Sequence, residues 1–238
     1  MHLLGKRKWI VTGLLAAFIA IELVLYFVIQ TVSNKYFGIP TYISVLLAFC
    51  FSFVCYTAPR GERPYFVNIA LLFTLGADFC LVVLTPAEEL IGVSVFIGAQ
   101  ICYFLYIIVR ERGALLYTHI TLRVLVTALA ALLPKLLLGD EVDALSTVSV
   151  VYYSVLALNL VFSLFHRDLR LFSLGLFLFA LCDLSIGLEN LSDYFSLGNN
   201  GFIQAVENTE LNLAWIFYLP SQVMISASTV RWLALFRK

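Results

Sequence analysis

The sequence TLGAD at residues 74–78 places a carboxylic acid, Asp78, inside an otherwise apolar run that extends over residues 65–84. An ionisable side chain at membrane depth costs from a few to more than about ten kcal/mol, so it marks a functional site by default. A second acid, Asp183, ends the apolar stretch ALCD at residues 180–183. The two acids predict a shared site; the alternative is that each is protonated or hydrogen-bonded and serves helix packing only.

The composition is that of a membrane protein. Hydrophobic residues make up 62% of the 238 residues and charged residues 13%, and the mean hydropathy is +0.97, whereas soluble domains carry about 25% charged residues. The net charge is zero and the basic residues are dispersed, which argues against a nucleic-acid partner. The five cysteines lie in apolar segments without the spacing of a metal site, so neither a metal nor a cofactor is expected.

Eight stretches are apolar and long enough for a spanning helix, which needs roughly 20 residues. We therefore predict an all-α polytopic bundle that forms one integral membrane domain over residues 1–238. The predicted spans are about 9–29, 40–57, 65–84, 90–109, 114–133, 144–165, 169–190 and 211–236. Pro134 is expected to end the fifth span, and the link 191–210 is the only one long enough to cover a site.

The basic residues are distributed unevenly between the two sides of the membrane. The amino end, the even-numbered loops and the carboxyl end hold 12 of the 15 Lys and Arg residues, and the odd-numbered loops hold only Lys35 and Lys135. Because cytoplasmic loops carry an excess of Lys and Arg, we predict that both termini are cytoplasmic, in the cell membrane. The remaining basic residue, Arg123, lies within the fifth span.

The two acids occupy matched depths in this topology. At about 1.5 Å per residue, Asp78 and Asp183 each lie about 20 Å from the cytoplasmic end of their span. The next span in each case runs inward and carries a glutamine, Gln100 or Gln222. This recurrence predicts two parallel four-helix halves related by an axis along the membrane normal, with the acids facing one cavity.

Polar residues near the acids are candidates for binding a substrate. Small residues on the Asp183 face, including Gly187, are expected to allow close helix approach. Interhelical hydrogen bonding is an equally good explanation for any single polar residue. The candidate binding residues are Gln100, Tyr103, Asn190, Tyr218 and Gln222, together with Arg123.

Arg123 requires a partner, because a lone guanidinium at membrane depth is costly. Glu22 lies some 14 residues beyond Lys8 in the first span, and an ion pair between Glu22 and Arg123 is the preferred interpretation. The alternative is that Arg123 holds a phosphate group, whose oxygens fit the guanidinium fork. His119 lies one turn before Arg123 and too near the cytoplasmic end to reach the acids directly.

Four short motifs resemble the lysoplasmalogenase (YhhN-like) family of eight-helix membrane proteins. The resemblance extends over about residues 65–225 and rests on LFTLGAD (72–78), FIGAQICY (96–103), LFLFALCD (176–183) and YLPSQ (218–222). It implies hydrolysis of the vinyl ether bond of lysoplasmalogens, with release of a fatty aldehyde and a glycerophospho-amine. Gln100 stands where the family usually has histidine, and glutamine cannot shuttle a proton.

Vinyl ether hydrolysis begins with protonation of a carbon atom and continues with attack by water, so it requires one protonated carboxylic acid and one carboxylate. Glycoside hydrolysis uses paired acids around a similar cation. We therefore expect Asp78 and Asp183 to be catalytic, with a lysophospholipid as the partner; their individual roles and the oligomeric state stay open. The rival hypothesis is a non-enzymatic transporter or lipid-binding protein in which the same acids bind protons or a cation.

Overall fold

The computed structural model describes residues 2–31, 38–55, 63–84, 86–111, 113–139, 142–194, 213–230 and 232. The fold is all-α, as predicted. Eight α-helices are described: α1 (His2–Thr31), α2 (Gly38–Cys55), α3 (Tyr65–Asp78), α4 (Glu89–Ile108), α5 (Ala114–Leu138), α6 (Ala144–Leu164), α7 (Arg170–Tyr194) and α8 (Leu213–Ala227). A π-helix, Phe79–Val83, continues α3, and a 3-10 helix, Arg167–Leu169, precedes α7.

Seven of these helices, α1 to α7, are long and apolar enough to cross a membrane. Their outward surfaces are hydrophobic, as helices that face lipid require. The chain is therefore an integral, multi-pass membrane protein. The described part of α8 has 15 residues, fewer than a span needs, so the eighth span stays a prediction.

Helix boundaries differ from the sequence prediction in three places. Pro134 lies inside α5, which continues to Leu138; the prediction that it ends the helix is wrong, because lipid offers no other partners for the backbone of the apolar residues beyond it. The α-helical part of the third span ends at Asp78. The α7 helix extends to Tyr194, while the rest of the predicted covering link, 195–210, lies outside the described residues.

Six helices form a closed ring. The most extensive contacts join α7 to α8 and α3 to α4, and further contacts join α2 to α3, α4 to α6, α6 to α7 and α8 to α2. The α1 helix packs outside the ring against α2 and α8, and α5 packs outside it against α6. Side chains from opposite ends of the chain can therefore meet inside the ring, whereas α1 and α5 lie against different members of it.

Glycine permits the close approach of α7 to α8, but at a position other than the predicted one. A Cβ atom at Gly175 would lie 2.7 Å from Cγ1 and 3.0 Å from the backbone nitrogen of Ile225. At Gly187 it would meet nothing within 4 Å among the described residues. The expectation that Gly187 allows close packing is therefore wrong, and Gly175, three turns earlier on α7, is the contact glycine.

Candidate functional site

Asp78 is the last residue of α3 and is only 4% exposed. Its Oδ2 atom accepts a hydrogen bond from the hydroxyl of Tyr218 on α8. The π-helix begins at the next residue, Phe79, and π-helical turns within α-helices are frequent at functional sites. The sequence prediction that Asp78 and Tyr218 belong to one region agrees with this contact, although the two residues are 140 positions apart.

Asp183 on α7 has a matching partner. Its Oδ2 atom accepts a hydrogen bond from the hydroxyl of Tyr152 on α6, with a distance of 2.5 Å between the oxygens. Tyr152 is buried, whereas Asp183 is only partly buried. Each intramembrane acid is thus held by one phenol from a neighbouring helix, which satisfies one of its oxygen atoms.

Aromatic rings connect the two acids. Phe96 lies 5.7 Å, between ring centroids, from both Tyr152 and Phe179, and Phe179 lies 5.7 Å from Tyr218. These separations are typical of aromatic pairs in contact. Helices α3, α4, α6, α7 and α8 therefore contribute to one region, which we call the carboxyl site and define by Asp78, Asp183, Tyr152 and Tyr218.

A second polar group extends from Arg123 on α5. One guanidinium nitrogen, Nη2, lies 2.8 Å from Oδ1 of Asn159 and 3.0 Å from Nε2 of His119. The other ring nitrogen of His119, Nδ1, lies 2.6 Å from Oε2 of Glu111. Arginine can only donate hydrogen bonds, so Nε2 of His119 is the acceptor and Nδ1 carries the hydrogen that is donated to Glu111. The contacts specify a neutral imidazole.

Asn159 links Arg123 to the predicted site residue Gln100. The Nδ2 atom of Asn159 donates to both the backbone oxygen and Oε1 of Gln100, each at 2.9 Å. Both amide side chains are completely buried. Two nitrogens of Arg123, Nε and Nη1, and Nε2 of Gln100 have no hydrogen-bond partner within the described parts of the chain. The Arg123 guanidinium also covers the ring of Phe104 at 4.4 Å.

The predicted ion pair between Glu22 and Arg123 is wrong. Glu22 is buried between α1 and α2, where its Oε2 atom accepts a hydrogen bond of 2.9 Å from the hydroxyl of Ser44. Arg123 is held by His119 and Asn159 instead. The two helices pack against different members of the ring, so Glu22 and Arg123 are not neighbours although both lie within apolar spans.

The other predicted binding residues take varied positions. Tyr103 is buried on α4, and its hydroxyl has no hydrogen-bond partner among the described residues. Gln222 is buried on α8, with its Nε2 atom 3.4 Å from the hydroxyl of Ser221. Asn190 belongs to α7, but its side chain lies outside the described part of the structure.

Two residues that the sequence analysis did not place in the site, Tyr152 and Asn159, are central to these contacts. They lie seven residues apart on α6, and therefore on one face of that helix. The sequence signal that could have identified them is a tyrosine and an asparagine on the same face of an otherwise apolar helix. Within the described ranges, no three His, Cys, Asp or Glu side chains are grouped closely enough to hold a metal ion.

Comparison with models of known protein families gives a match over most of the chain. The model of the YhhN family matches residues 34–229. The chain belongs to the YhhN family. The match includes both acids, both phenols and the Arg123 group, as well as all helices except α1. No curated protein and no solved structure matches the chain significantly.

Proposed function

We propose that this YhhN protein is an intramembrane hydrolase that cleaves the vinyl ether bond of lysoplasmalogen-like lysophospholipids. The observation that carries the proposal is the carboxyl site, in which Asp78 and Asp183 each accept a hydrogen bond from a phenol and are connected by aromatic rings. Membership of the YhhN family supports it, because the resemblance in sequence implies this activity.

The proposed chemistry assigns one acid to each half of the reaction. One carboxylic acid donates a proton to the β-carbon of the vinyl ether, which leaves an oxocarbenium ion. The other carboxylate takes a proton from a water molecule whose oxygen bonds to the α-carbon, and the resulting hemiacetal separates into an aldehyde and an alcohol. Placing two charged carboxylates side by side in an apolar interior costs more than placing one, so the site suits a single negative charge shared between Asp78 and Asp183.

Arg123 is the proposed partner of the substrate phosphate. Its unpartnered Nε and Nη1 atoms provide the donors, and a guanidinium binds phosphate oxygens with two parallel hydrogen bonds. Asn159, which contacts Arg123, lies seven residues from Tyr152, or about 10 Å along α6. In an extended lysoplasmalogen, seven bonds separate the phosphorus from the β-carbon, a reach of about 8 Å. A phosphate at Arg123 therefore brings the reacting bond close to Asp183.

The predicted two-fold arrangement of the helices fits the same proposal. The α1–α2, α2–α3 and α3–α4 contacts correspond to α5–α6, α6–α7 and α7–α8 contacts, and α4–α6 corresponds to α8–α2. We infer that residues in the two halves are related by an axis along the membrane normal. Asp78 and Asp183 then approach the centre from equivalent helices, which accounts for a site made of two acids.

The alternative function is non-enzymatic lipid binding or transport, in which the two acids bind protons or a cation. The observation that favours it is Gln100, whose amide oxygen is already engaged by Asn159. An amide cannot shuttle a proton as the family's usual histidine can. Under this alternative the carboxyl site is retained without turnover.

The two functions are distinguished by incubating the purified protein in detergent with a lysoplasmalogen and measuring aldehyde release. The matched control is the lysophospholipid with a saturated ether at the same position, which has no double bond to protonate. We expect aldehyde from the vinyl ether alone. Binding of both lipids without aldehyde release contradicts hydrolysis and favours the lipid-binding alternative.

A further inference from the structure

A groove separates α6 and α7 on the outer surface of the bundle, outside the carboxyl site. Its volume is about 370 Å³, and its walls are mostly apolar. The residues that line it are Leu160 and Leu164 on α6 and Arg170, Ser173, Leu174 and Phe177 on α7. Ser173 adds little polarity, because its hydroxyl donates to the backbone oxygen of Leu169. The groove is therefore a hydrophobic channel that opens toward the lipid.

One end of the groove carries a positive charge. Arg170, the first residue of α7, is exposed and makes no ion pair within the described residues. The neighbouring Arg110, in contrast, has its Nε atom 2.9 Å from Asp168. Arg170 is thus a cation at the helix end with no acidic partner among the described residues, at the level where a lipid head group lies, and the walls of the groove extend from it toward the membrane interior.

The size of the groove selects the kind of lipid. A water molecule occupies about 30 Å³ in the liquid and a methylene group a similar volume, so the groove accommodates roughly a dozen methylene groups. That is about the volume of one alkyl chain, so the groove holds a single chain along its length. A neutral single-chain lipid would leave Arg170 unpaired, whereas a phosphate at the end of the chain complements it.

We propose that the groove between α6 and α7 docks a single-chain phospholipid, with the phosphate on Arg170 and the alkyl chain along Leu164, Leu174 and Phe177. The inference rests on the proposed function in one respect: it takes the docked phospholipid to be the substrate, which moves on to the carboxyl site. Arg170 lies 13 residues from Asp183, or about 20 Å along α7, which is more than twice the reach from phosphate to reacting bond. The groove is a docking position, and reaction requires the lipid to move on to Arg123.

The test measures binding separately from turnover. A fluorescent lysophosphatidylcholine with a saturated ester-linked chain, which contains no vinyl ether, is titrated into the detergent-purified full-length protein. A hydrogen bond to a charged group is stronger than one between neutral groups, and the exposure of Arg170 to solvent weakens it. Arg170→Gln should weaken binding about tenfold, and Leu174→Trp, which fills the groove, should weaken it similarly. Arg170→Lys should retain most of the affinity.

Matched controls make the result specific. Arg167→Gln removes an equally exposed charge that does not line the groove and should bind like the wild type. Unlabelled lysophosphatidylcholine should displace the probe, while a diacyl phospholipid or a long-chain alcohol without phosphate should not. Equal loss in Arg167→Gln, unchanged binding in Arg170→Gln, or equal displacement by the diacyl lipid would overturn the docking site. Unaltered thermal unfolding of the variants shows that they are folded.

The same variants separate this proposal from the proposed function. If the protein releases aldehyde, Arg170→Gln should raise KM about tenfold and leave kcat unchanged, because the residue is remote from the reacting bond. Binding that depends on Arg170 in a protein without turnover supports the docking site and refutes only the hydrolase. Turnover with a KM that does not respond to Arg170→Gln supports the hydrolase and refutes the docking site.

Discussion

Tyr218 donates the hydrogen of its phenol to Oδ2 of Asp78 and so joins α8 to α3 across the helix ring. Both side chains are nearly completely buried, so the hydrogen bond has no water to replace it. Removal of the hydroxyl by Tyr218→Phe leaves a buried carboxyl oxygen without its partner, at a cost of about 1–3 kcal/mol. We expect lower resistance to thermal or denaturant unfolding.

Tyr42→Phe provides the control for this prediction. Tyr42 is partly buried, packs its ring against Phe79, and has no hydrogen bond to its hydroxyl from the described residues. The Tyr42→Phe substitution should change the free energy of unfolding by less than about 0.5 kcal/mol. Equal effects of the two substitutions would mean that the contact between Tyr218 and Asp78 contributes nothing beyond ring packing.

The two acids are expected to act as a unit. Asp78→Asn and Asp183→Asn should each remove nearly all aldehyde release, and the double variant should be little worse than either, because members of a catalytic unit are not additive. Asparagine still accepts a hydrogen bond from each tyrosine but donates no proton to carbon, so folding should survive. Gln100→Ala should have a smaller effect. Full activity in either single variant, or loss of folding in both, would show that the acids only hold helices together.

Glu22 and Arg123 should contribute independently to stability. Each has its own partners, Ser44 for Glu22 and Asn159 with His119 for Arg123. The effects of Glu22→Gln and Arg123→Gln on the free energy of unfolding should therefore add to within about 0.5 kcal/mol. Denaturant unfolding of the two single variants and the double variant checks this. A coupling energy of about 1 kcal/mol or more, which is typical of residues in contact, would show that Glu22 and Arg123 form an ion pair.

Gly175 and Gly187 on α7 should respond oppositely to alanine. At Gly175 the added methyl group meets the backbone nitrogen of Ile225 at 3.0 Å, so α7 and α8 must separate, with a loss of about 1–3 kcal/mol. At Gly187 the methyl group meets no atom of the described residues within 4 Å, and the higher helix propensity of alanine should leave stability unchanged or raise it by up to about 1 kcal/mol. Thermal unfolding of the two variants is the measurement, and similar losses in both would contradict the described packing.

The orientation of the protein is predicted from charge. The 12 basic residues on one side against two on the other place both termini in the cytoplasm, with the link 191–210 on the opposite side. A reporter that works only in the cytoplasm should show activity when it is fused after Lys238. A second reporter, inserted within the link and active only outside the cytoplasm, tests the other side. The reverse pattern of activities would show that the topology is inverted.

Sequence was sufficient for properties that depend on local hydropathy. It predicted the helical membrane fold and the family, and it singled out Asp78, Asp183 and Tyr218 because polar groups in apolar helices are conspicuous. It did not identify which helices are neighbours. Depth along the membrane normal can be counted from sequence, but position around the normal depends on packing. For that reason the pairing of Glu22 with Arg123 was wrong, and the contact between Tyr152 and Asp183 was missed.

The contact between α8 and α2 closes the helix ring, and this has a consequence for biogenesis. Helices emerge from the ribosome in chain order, so α3 enters the membrane with Asp78 long before Tyr218 has been synthesised. Until α8 is inserted, Asp78 lacks the Tyr218 hydroxyl that donates to it. The ring of helices also stays open between α7 and α2. Assembly of the carboxyl site is therefore among the last events of synthesis, and chains truncated before α8 should be retained by quality control or degraded.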